Sequence, residues 1–132
     1  MSTNKIKLAE QSDGSIFPFG VFVTPIPMTA DGAPYSATLH KTITFVKWSQ
    51  AVFVATTNNG SNYWRVKIVK NDGTLIKQLD TSAVSVNTWT RLEATTFDVA
   101  SAGTADIGLQ IATVKVGSPG ALYILGITLE VT

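Results

Sequence analysis

Nine carboxylates, one histidine and no cysteine are the residues of this 132-residue chain that could perform acid–base, nucleophilic or metal chemistry. A Ser–His–Asp triad would require His40 to lie beside a hydroxyl and a carboxylate, and a metal site would require further nitrogen ligands. The lack of cysteine excludes a thiol nucleophile, a disulfide scaffold and thiolate metal sites. We therefore expect His40 to be a surface histidine, and we expect no catalytic residues, no metal ion and no cofactor.

The carboxylates fit turns and strand ends better than a catalytic pair. Asp13, Asp31 and Asp72 each precede a glycine, a context in which aspartate commonly forms turns. Glycoside hydrolysis needs two carboxyl groups that face each other across a cleft, but the odd spacing of Glu93 and Asp98 points them to opposite faces of one strand. We expect Glu93 to pair with a Lys or Arg of a neighbouring strand. A calcium site built from loop oxygens stays open, because its ligands need not be close in sequence.

Aromatic side chains could bind a ligand without catalysis. Sugars bind the flat faces of exposed aromatic rings that have a few polar neighbours. We expect Trp64 to belong to the core and Trp89 to be partly buried at one end of the fold. The candidate ligand-binding platform consists of Tyr35 in a loop, Trp48 at a strand end, and Tyr63, which is out of phase with Trp64.

Charge and hydropathy exclude several classes of partner. Ten basic and nine acidic residues give a net charge of +1, and 14% of the residues are charged. Nucleic-acid binding needs a basic stripe, which is absent from the sequence, so we expect no nucleic-acid partner. The sequence has no apolar run long enough to span a bilayer and no amphipathic helix, so we expect no membrane partner. The N-terminus is polar and does not resemble a secretory signal.

The elements that must position these residues are β-strands. Thr, Val, Ile and aromatic residues dominate the chain, and Gly-, Asn- and Asp-rich turn signals divide it into segments of about ten residues. Eight strands at this spacing are typical of an antiparallel β-sandwich or barrel. The predicted strands span 15–24, 37–48, 50–56, 63–70, 74–80, 88–99, 105–116 and 121–131.

Local patterns refine this prediction. The alternation of residues 64–68 places the apolar side chains on one face, and Asn71-Asp72-Gly73 predicts a tight hairpin after them. The apolar set at 107–111 continues one residue out of phase, which predicts a bulge or a switch between sheets near 111–112. In SVNTWTRLEATTFDV (85–99), we expect Leu92 and Ala94 to point inward.

The N-terminal third is less regular. Three prolines between residues 18 and 27 cannot donate to a sheet, so this part must follow an edge or the surface. We predict a flexible arm at 1–14, a long loop at 24–36, and a single β-sandwich domain at 15–132. The arm and the loop could both contact a neighbouring subunit.

Residues 42–131 resemble known β-sandwich modules. The runs NTWTRLEATTFDVASAGTADIGLQI (87–111) and GALYILGITLE (120–130) are similar to strands of carbohydrate-binding-module-like jelly rolls. The run NNGSNYWRVKIVKNDGTLI (58–76) resembles β-sandwich modules of bacteriophage structural proteins. The resemblance implies an all-β, antiparallel jelly-roll sandwich that serves as a binding or scaffolding module. Such modules often carry an aspartate after the Tyr-Ile pair, whereas this chain has Leu125, so the resemblance does not carry a calcium ligand over at this position.

Two hypotheses follow from the resemblance and the sparse catalytic inventory. The first is a non-enzymatic head decoration protein that stabilises a bacteriophage capsid, forms a homo-oligomer, and is found on the virion surface and outside the host after lysis. In this hypothesis the jelly roll, which begins at Met1 and ends on a strand, is the whole protein. The alternative is a carbohydrate- or receptor-binding module of a phage tail or cell-surface protein, which would use exposed aromatic residues. A hydrolase with Glu93 and Asp98 as its acid pair ranks well below both.

Overall fold

The computed structural model describes residues 4–6, 9–10, 16–17, 27–39, 43–102 and 107–131. His40 lies outside these residues, as does most of the predicted arm and strand at 1–24. No helix in this part of the chain is long and apolar enough to cross a membrane. The strands are β1 (Asn4–Ile6), β2 (Ala9–Glu10), β3 (Ile16–Phe17), β4 (Gly32–Leu39), β5 (Ile43–Val54), β6 (Tyr63–Lys70), β7 (Leu75–Asp80), β8 (Thr90–Ala94), β9 (Ser101–Ala102), β10 (Ile107–Val116) and β11 (Leu122–Val131).

The strands form two antiparallel sheets with jelly-roll connections. One sheet has the order β1-β11-β5-β8, with the short β9 also paired to β5, and the other has the order β4-β10-β6-β7. The strands β2 and β3 form a separate two-stranded ribbon. Seven of the described strands have five residues or more, and β1 occupies the eighth place of the jelly roll. The predicted all-β sandwich is therefore confirmed.

The core lies between the two sheets and is built from the inward face of each strand. Alternation along β6 buries Trp64, Val66 and Ile68 completely, as their spacing predicts. The core also includes these buried side chains of the other strands and loops: Ile43, Phe45, Trp48, Val52, Val54, Ile76, Val84, Ala94, Leu109, Ile111, Leu122, Ile124, Ile127, Leu129 and Val131.

The strand β5 runs unbroken through the point at which the sequence predicts a boundary between two strands. Phe45 pairs with Val131 and Lys47 pairs with Glu130, so Val46 is an additional residue that shifts the register. The shift reverses which side chains point inward: Phe45 faces the core before it, and Trp48 faces the core after it.

The strand β11 contains a matching irregularity. Gly126 has a φ of +66° and lies where the pairing with β5 shifts register. Inward-facing residues are therefore Leu122 and Ile124 before Gly126, and Ile127 after it. Glycine adopts this backbone conformation without the steric cost that a Cβ atom would add.

A register shift is present near the predicted position, between Ile111 and Thr113 in the pairing of β10 with β4, but the additional residue lies on β4, where the partners Tyr35 and Gly32 are three positions apart. The predicted change of face is wrong, because Thr113 follows Leu109 and Ile111 into the core while Ala112 stays half-buried. The pairing of β10 with β6 is continuous through this point and holds the orientation of β10 constant.

Two further predictions concern turns and loops. The hairpin between β6 and β7 is confirmed: Gly73 has a φ of +88° and donates its N–H to the carbonyl of Lys70. The predicted loop at 24–36 is too long, because β4 begins at Gly32 and pairs with β10. Three residues of the predicted arm form β1, which pairs with the edge of β11.

Candidate functional site

The structure does not bring the predicted aromatic platform together. Trp48 is completely buried on the inward face of β5, so the prediction that it contacts a ligand is wrong. Tyr63 is half-buried on β6, in the opposite sheet, where Arg65 stacks on its ring at 5.9 Å. The backbone of Tyr35 belongs to β4 and pairs with Ile111. Contact of Tyr35 and Tyr63 with a ligand stays a prediction.

Three other aromatic residues form a cluster on the outer face of the five-stranded sheet. Phe53 of β5 lies at its centre, with ring centroids 5.4 Å from Trp89 and 5.7 Å from Tyr123. Phe53 and Tyr123 are directly paired across β5 and β11, and both alternate with buried neighbours. Trp89 is 46% exposed, although burial is the usual state of a ring of its size. Phe53, Trp89 and Tyr123 are called the aromatic cluster below.

The loop that carries Trp89 is hydrogen-bonded to residues at the end of β5. Asn87 donates its backbone N–H to the carbonyl of Val54 at 2.8 Å, and its side-chain oxygen accepts the N–H of Thr56 at 3.2 Å. Asn87 has a φ of +55°, a conformation that asparagine adopts more readily than most residues. These bonds place Trp89 directly beside Phe53, immediately before β8 begins.

A buried hydrogen-bond network holds the other end of the same loop. The Thr81 hydroxyl accepts the backbone N–H of Trp64 at 3.0 Å and donates to the side-chain oxygen of Asn58 at 2.8 Å. The Asn58 side-chain amide donates to the carbonyls of Thr81 and Val84. Because Thr81 is completely buried and each of these groups has a partner, the loop has a defined conformation on the side facing the core.

Polar residues continue the outer face beyond the aromatic cluster. Arg91 of β8 donates from Nη1 to the Ser49 hydroxyl at 3.0 Å, and Ser49 is 3.3 Å from the hydroxyl of Thr128 on β11. Glu93 lies 3.4 Å from the Lys47 ammonium and 3.9 Å from Arg91 Nε. The expected pairing of Glu93 with cationic residues is therefore confirmed.

An aromatic cluster next to hydroxyl, guanidinium and carboxylate groups suits recognition of a polar ligand that has an apolar face. The rings offer a flat surface, and the neighbouring side chains supply hydrogen-bond donors and acceptors. In the part of the chain that the structure describes, no group of three or more His, Cys, Asp or Glu residues could hold a metal ion.

The sequence contains a signal for this site in the alternation that leads up to β8. Trp89 lies between two threonines, and the residues two positions before and after it, Asn87 and Arg91, are polar, so it does not continue an apolar face. The inward orientation of Leu92 and Ala94 was predicted and is confirmed, since Ala94 is buried and Leu92 packs against the core. Extending that alternation back along the chain does place Trp89 on the outer face with Arg91.

Comparison with known proteins indicates the fold. No family model and no curated protein matches the chain. Among solved structures, a chain of the T13 viral particle of IBDV has a TM-score of 0.51 at 12% identity, covering 98% of this chain and 30% of that chain. The C-terminal domain of EclA, a sugar-binding protein, has a TM-score of 0.46 at 15% identity, covering 92% of this chain and 88% of that chain. The insecticidal delta-endotoxin Cry8Ea1 from Bacillus thuringiensis has a TM-score of 0.49 at 13% identity, covering 82% of this chain and 19% of the toxin.

These similarities describe architecture. At 12% identity, the likeness to the viral particle chain shows a shared β fold and nothing about activity. The other two likenesses fall below a TM-score of 0.5 and support no argument about this chain. The chain spans less than a third of the IBDV chain and about a fifth of the toxin.

Proposed function

We propose that this chain is a non-enzymatic recognition module that binds carbohydrate on the outer face of its five-stranded sheet, as a receptor-binding protein on the surface of a bacteriophage virion. The observation that carries the proposal is the exposure of Trp89 beside Phe53 and Tyr123. Exposed aromatic rings are costly in water unless they meet a partner, and sugars present C–H faces that pack against such rings.

The setting of the aromatic cluster supports binding more than catalysis. Its ring geometry is fixed by the pairing of β5 with β11 and by the Asn87 bonds, so little ordering is required when a ligand binds. Glu93, the nearest described carboxylate on β8, is held by Lys47 and Arg91. This carboxylate is already engaged in two ion pairs, and both of its partners are cations of the same outer face.

The proposal is tested by screening the purified protein on a glycan array and measuring the affinity of the best oligosaccharide by calorimetry. We expect Trp89→Ala to reduce affinity roughly 5- to 150-fold, since stacking on one ring is worth roughly 1–3 kcal/mol by analogy with aromatic stacking of nucleic-acid bases. Lys67→Ala is the control, because it truncates a half-buried side chain of the opposite sheet that belongs neither to the predicted platform nor to the aromatic cluster. An array without binding, or a Trp89→Ala variant with unchanged affinity, would contradict the proposal.

A second candidate is a capsid-stabilising head decoration protein that acts as a homo-oligomer. Val86 and Trp89 are both exposed on one loop, at 37% and 46%, and apolar loop tips of this kind are frequent at subunit interfaces. The likeness to a chain of a viral particle is compatible with this role at the level of fold. The two candidates are distinguished by light scattering of the protein alone, followed by co-sedimentation with empty capsids. A stable oligomer that binds capsids through Val86 and Trp89 favours the decoration role. A monomer that does not bind capsids excludes it.

A further inference from the structure

Among the charged residues of the described part of this face, Arg91 follows the aromatic cluster most closely in the strand pairing. It is paired with Ala51 of β5, and Phe53 lies two residues further along the same outer face. Two residues of a strand span about 6.8 Å, so the guanidinium and the rings lie within reach of one short oligosaccharide. We infer that the site binds a carbohydrate bearing a carboxylate group, such as a uronic acid, with Arg91 as the residue that contacts the carboxylate. This inference rests on the proposed carbohydrate-binding function.

The guanidinium of Arg91 is oriented by its neighbours and still accessible. Nη1 donates to the Ser49 hydroxyl at 3.0 Å, and Nε lies 3.9 Å from a Glu93 oxygen. The Arg91 side chain is 63% exposed, and its Nη2 has no partner among the described residues. An oriented guanidinium with free donors suits a carboxylate, whose two oxygens match the planar donor geometry.

Among the described side chains of this face, the distribution of charge makes Arg91 the cation beside the aromatic cluster. Glu93 is level with Ser49 of β5, one step away from the aromatic cluster, and it also contacts Lys47 at 3.4 Å. Lys47 lies further from the aromatic cluster than Glu93 does, and it is opposite Glu130 in the register of β5 with β11. The acidic side chains of this face thus lie on the far side of Arg91 from the rings, where they repel a carboxylate at the cluster least.

The surface between Arg91 and the aromatic cluster is formed by apolar side chains. Ala51, which separates Phe53 from Ser49 on the outer face, has a single methyl group, and its partner on β11 is Leu125. Neither residue adds a competing charge or hydrogen-bond donor. A sugar ring stacked on Trp89 can therefore direct a substituent toward Arg91 over apolar surface, where a charge-assisted hydrogen bond is less screened than in open water.

The test compares trigalacturonic acid with its methyl ester, which has the same ring geometry and no charge. Binding of each is measured by calorimetry to the wild type and to three variants: Arg91→Gln, Trp89→Ala, and Arg65→Gln as the matched control on the opposite sheet. We expect the wild type to prefer the acid roughly two- to fivefold, as for a partly exposed charge pair, and the preference to shrink at 1 M salt. Arg91→Gln should abolish the preference while still binding the ester, and Arg65→Gln should leave both affinities unchanged.

Each alternative outcome has a distinct meaning. Equal binding of acid and ester by the wild type, with Trp89→Ala weakening both, would overturn the inference and leave the carbohydrate-binding function in place. A preference for the acid that survives in Arg91→Gln would also overturn it. Failure of every array glycan and both trisaccharides to bind would overturn the carbohydrate-binding function and the inference with it.

Discussion

The ring of Trp89 lies 5.4 Å from the ring of Phe53, at an interplanar angle of 44°, and joins the loop before β8 to the strand β5. This contact fixes an exposed indole on a rigid sheet. A ligand that stacks on Trp89 therefore meets a surface whose orientation is set by backbone hydrogen bonds and not by a mobile loop.

The three tryptophans differ sharply in exposure, which predicts their response to a quencher. Trp48 and Trp64 are completely buried, and Trp89 is 46% exposed. We expect acrylamide to quench one component of the fluorescence, and Trp89→Phe to remove that component. Trp64→Phe serves as the comparison, and it should leave the quenchable component in place. Strong quenching of the Trp89→Phe variant would show that Trp48 or Trp64 is accessible to solvent.

Thr81→Val tests the network that holds the loop before β8. Valine has nearly the shape of threonine but cannot accept the Trp64 N–H or donate to Asn58. Because buried groups left without a partner each cost about 1–3 kcal/mol, we expect the free energy of unfolding to fall by about 2–4 kcal/mol in urea denaturation. The exposed Thr96→Val should change it by no more than about 0.5 kcal/mol. Equal effects of the two substitutions would contradict the importance of the network.

Gln50→Leu is expected to stabilise the protein. The Gln50 side chain is completely buried, and neither its amide nitrogen nor its amide oxygen has a hydrogen-bond partner among the described residues. Replacement of an unpaired polar group by an apolar group of similar size should raise the free energy of unfolding by about 1–2 kcal/mol. The half-buried Gln110→Leu is the comparison and should have a smaller effect. A loss of stability in Gln50→Leu would mean that the amide makes a favourable contact.

The sequence predicts the buried face of a strand correctly where apolar and polar residues alternate along the whole strand. The strand β6 keeps strict alternation, and the sequence predicts its buried face, with Trp64, correctly. The turn at Gly73 was predictable because its backbone conformation strongly favours glycine. The order of the strands in each sheet depends on pairings between distant segments, and a period of two carries no information about them.

The burial of Trp48 could not be predicted, because it depends on a register shift. The extra residue Val46 reverses the alternation of β5 and turns Trp48 into the core, although nothing in the local composition marks a bulge there. Trp89 precedes β8, so its position depends on Asn87 bonding to a strand distant in sequence. Such contacts become visible only when the two strands are placed side by side.

Gly120→Ala should be strongly destabilising. A Cβ atom at this position would overlap the carbonyl of Ala55, while the Gly120 backbone accepts the Trp64 indole N–H and donates to Thr57. We expect the melting temperature to fall by at least about 8 °C, which corresponds to about 2 kcal/mol in a domain of this size. Gly60→Ala is the control, because nothing lies within 4 Å of its Cβ position. Similar melting temperatures for the two variants would contradict the packing described here.

The hairpin between β6 and β7 predicts a measurable titration. Hydrogen bonds from the Thr74 hydroxyl and backbone N–H lower the pKa of Asp72 below its ordinary value of 3.8. A carboxylate with a lowered pKa stabilises the fold above the ordinary value, and this contribution is lost as the pH falls through the pKa of the folded state. We expect the melting temperatures of wild type and Asp72→Asn to converge in that acidic range. Thr74→Val should move the Asp72 pKa, measured by NMR, back toward 3.8; an unmoved pKa would contradict the role of the hydroxyl.

The order of the strands has a consequence for how the protein is made. The strand β11 lies between β1 and β5, and β10 lies between β4 and β6, so the last two of the described strands fill the middle of both sheets. During synthesis, neither sheet can close before these segments have left the ribosome. Pairings between such distant segments fold slowly, since loop closure precedes any favourable contact. We expect nascent chains that end before β10 to remain unfolded and to depend on chaperones, and the sandwich to assemble only after β11 has left the ribosome.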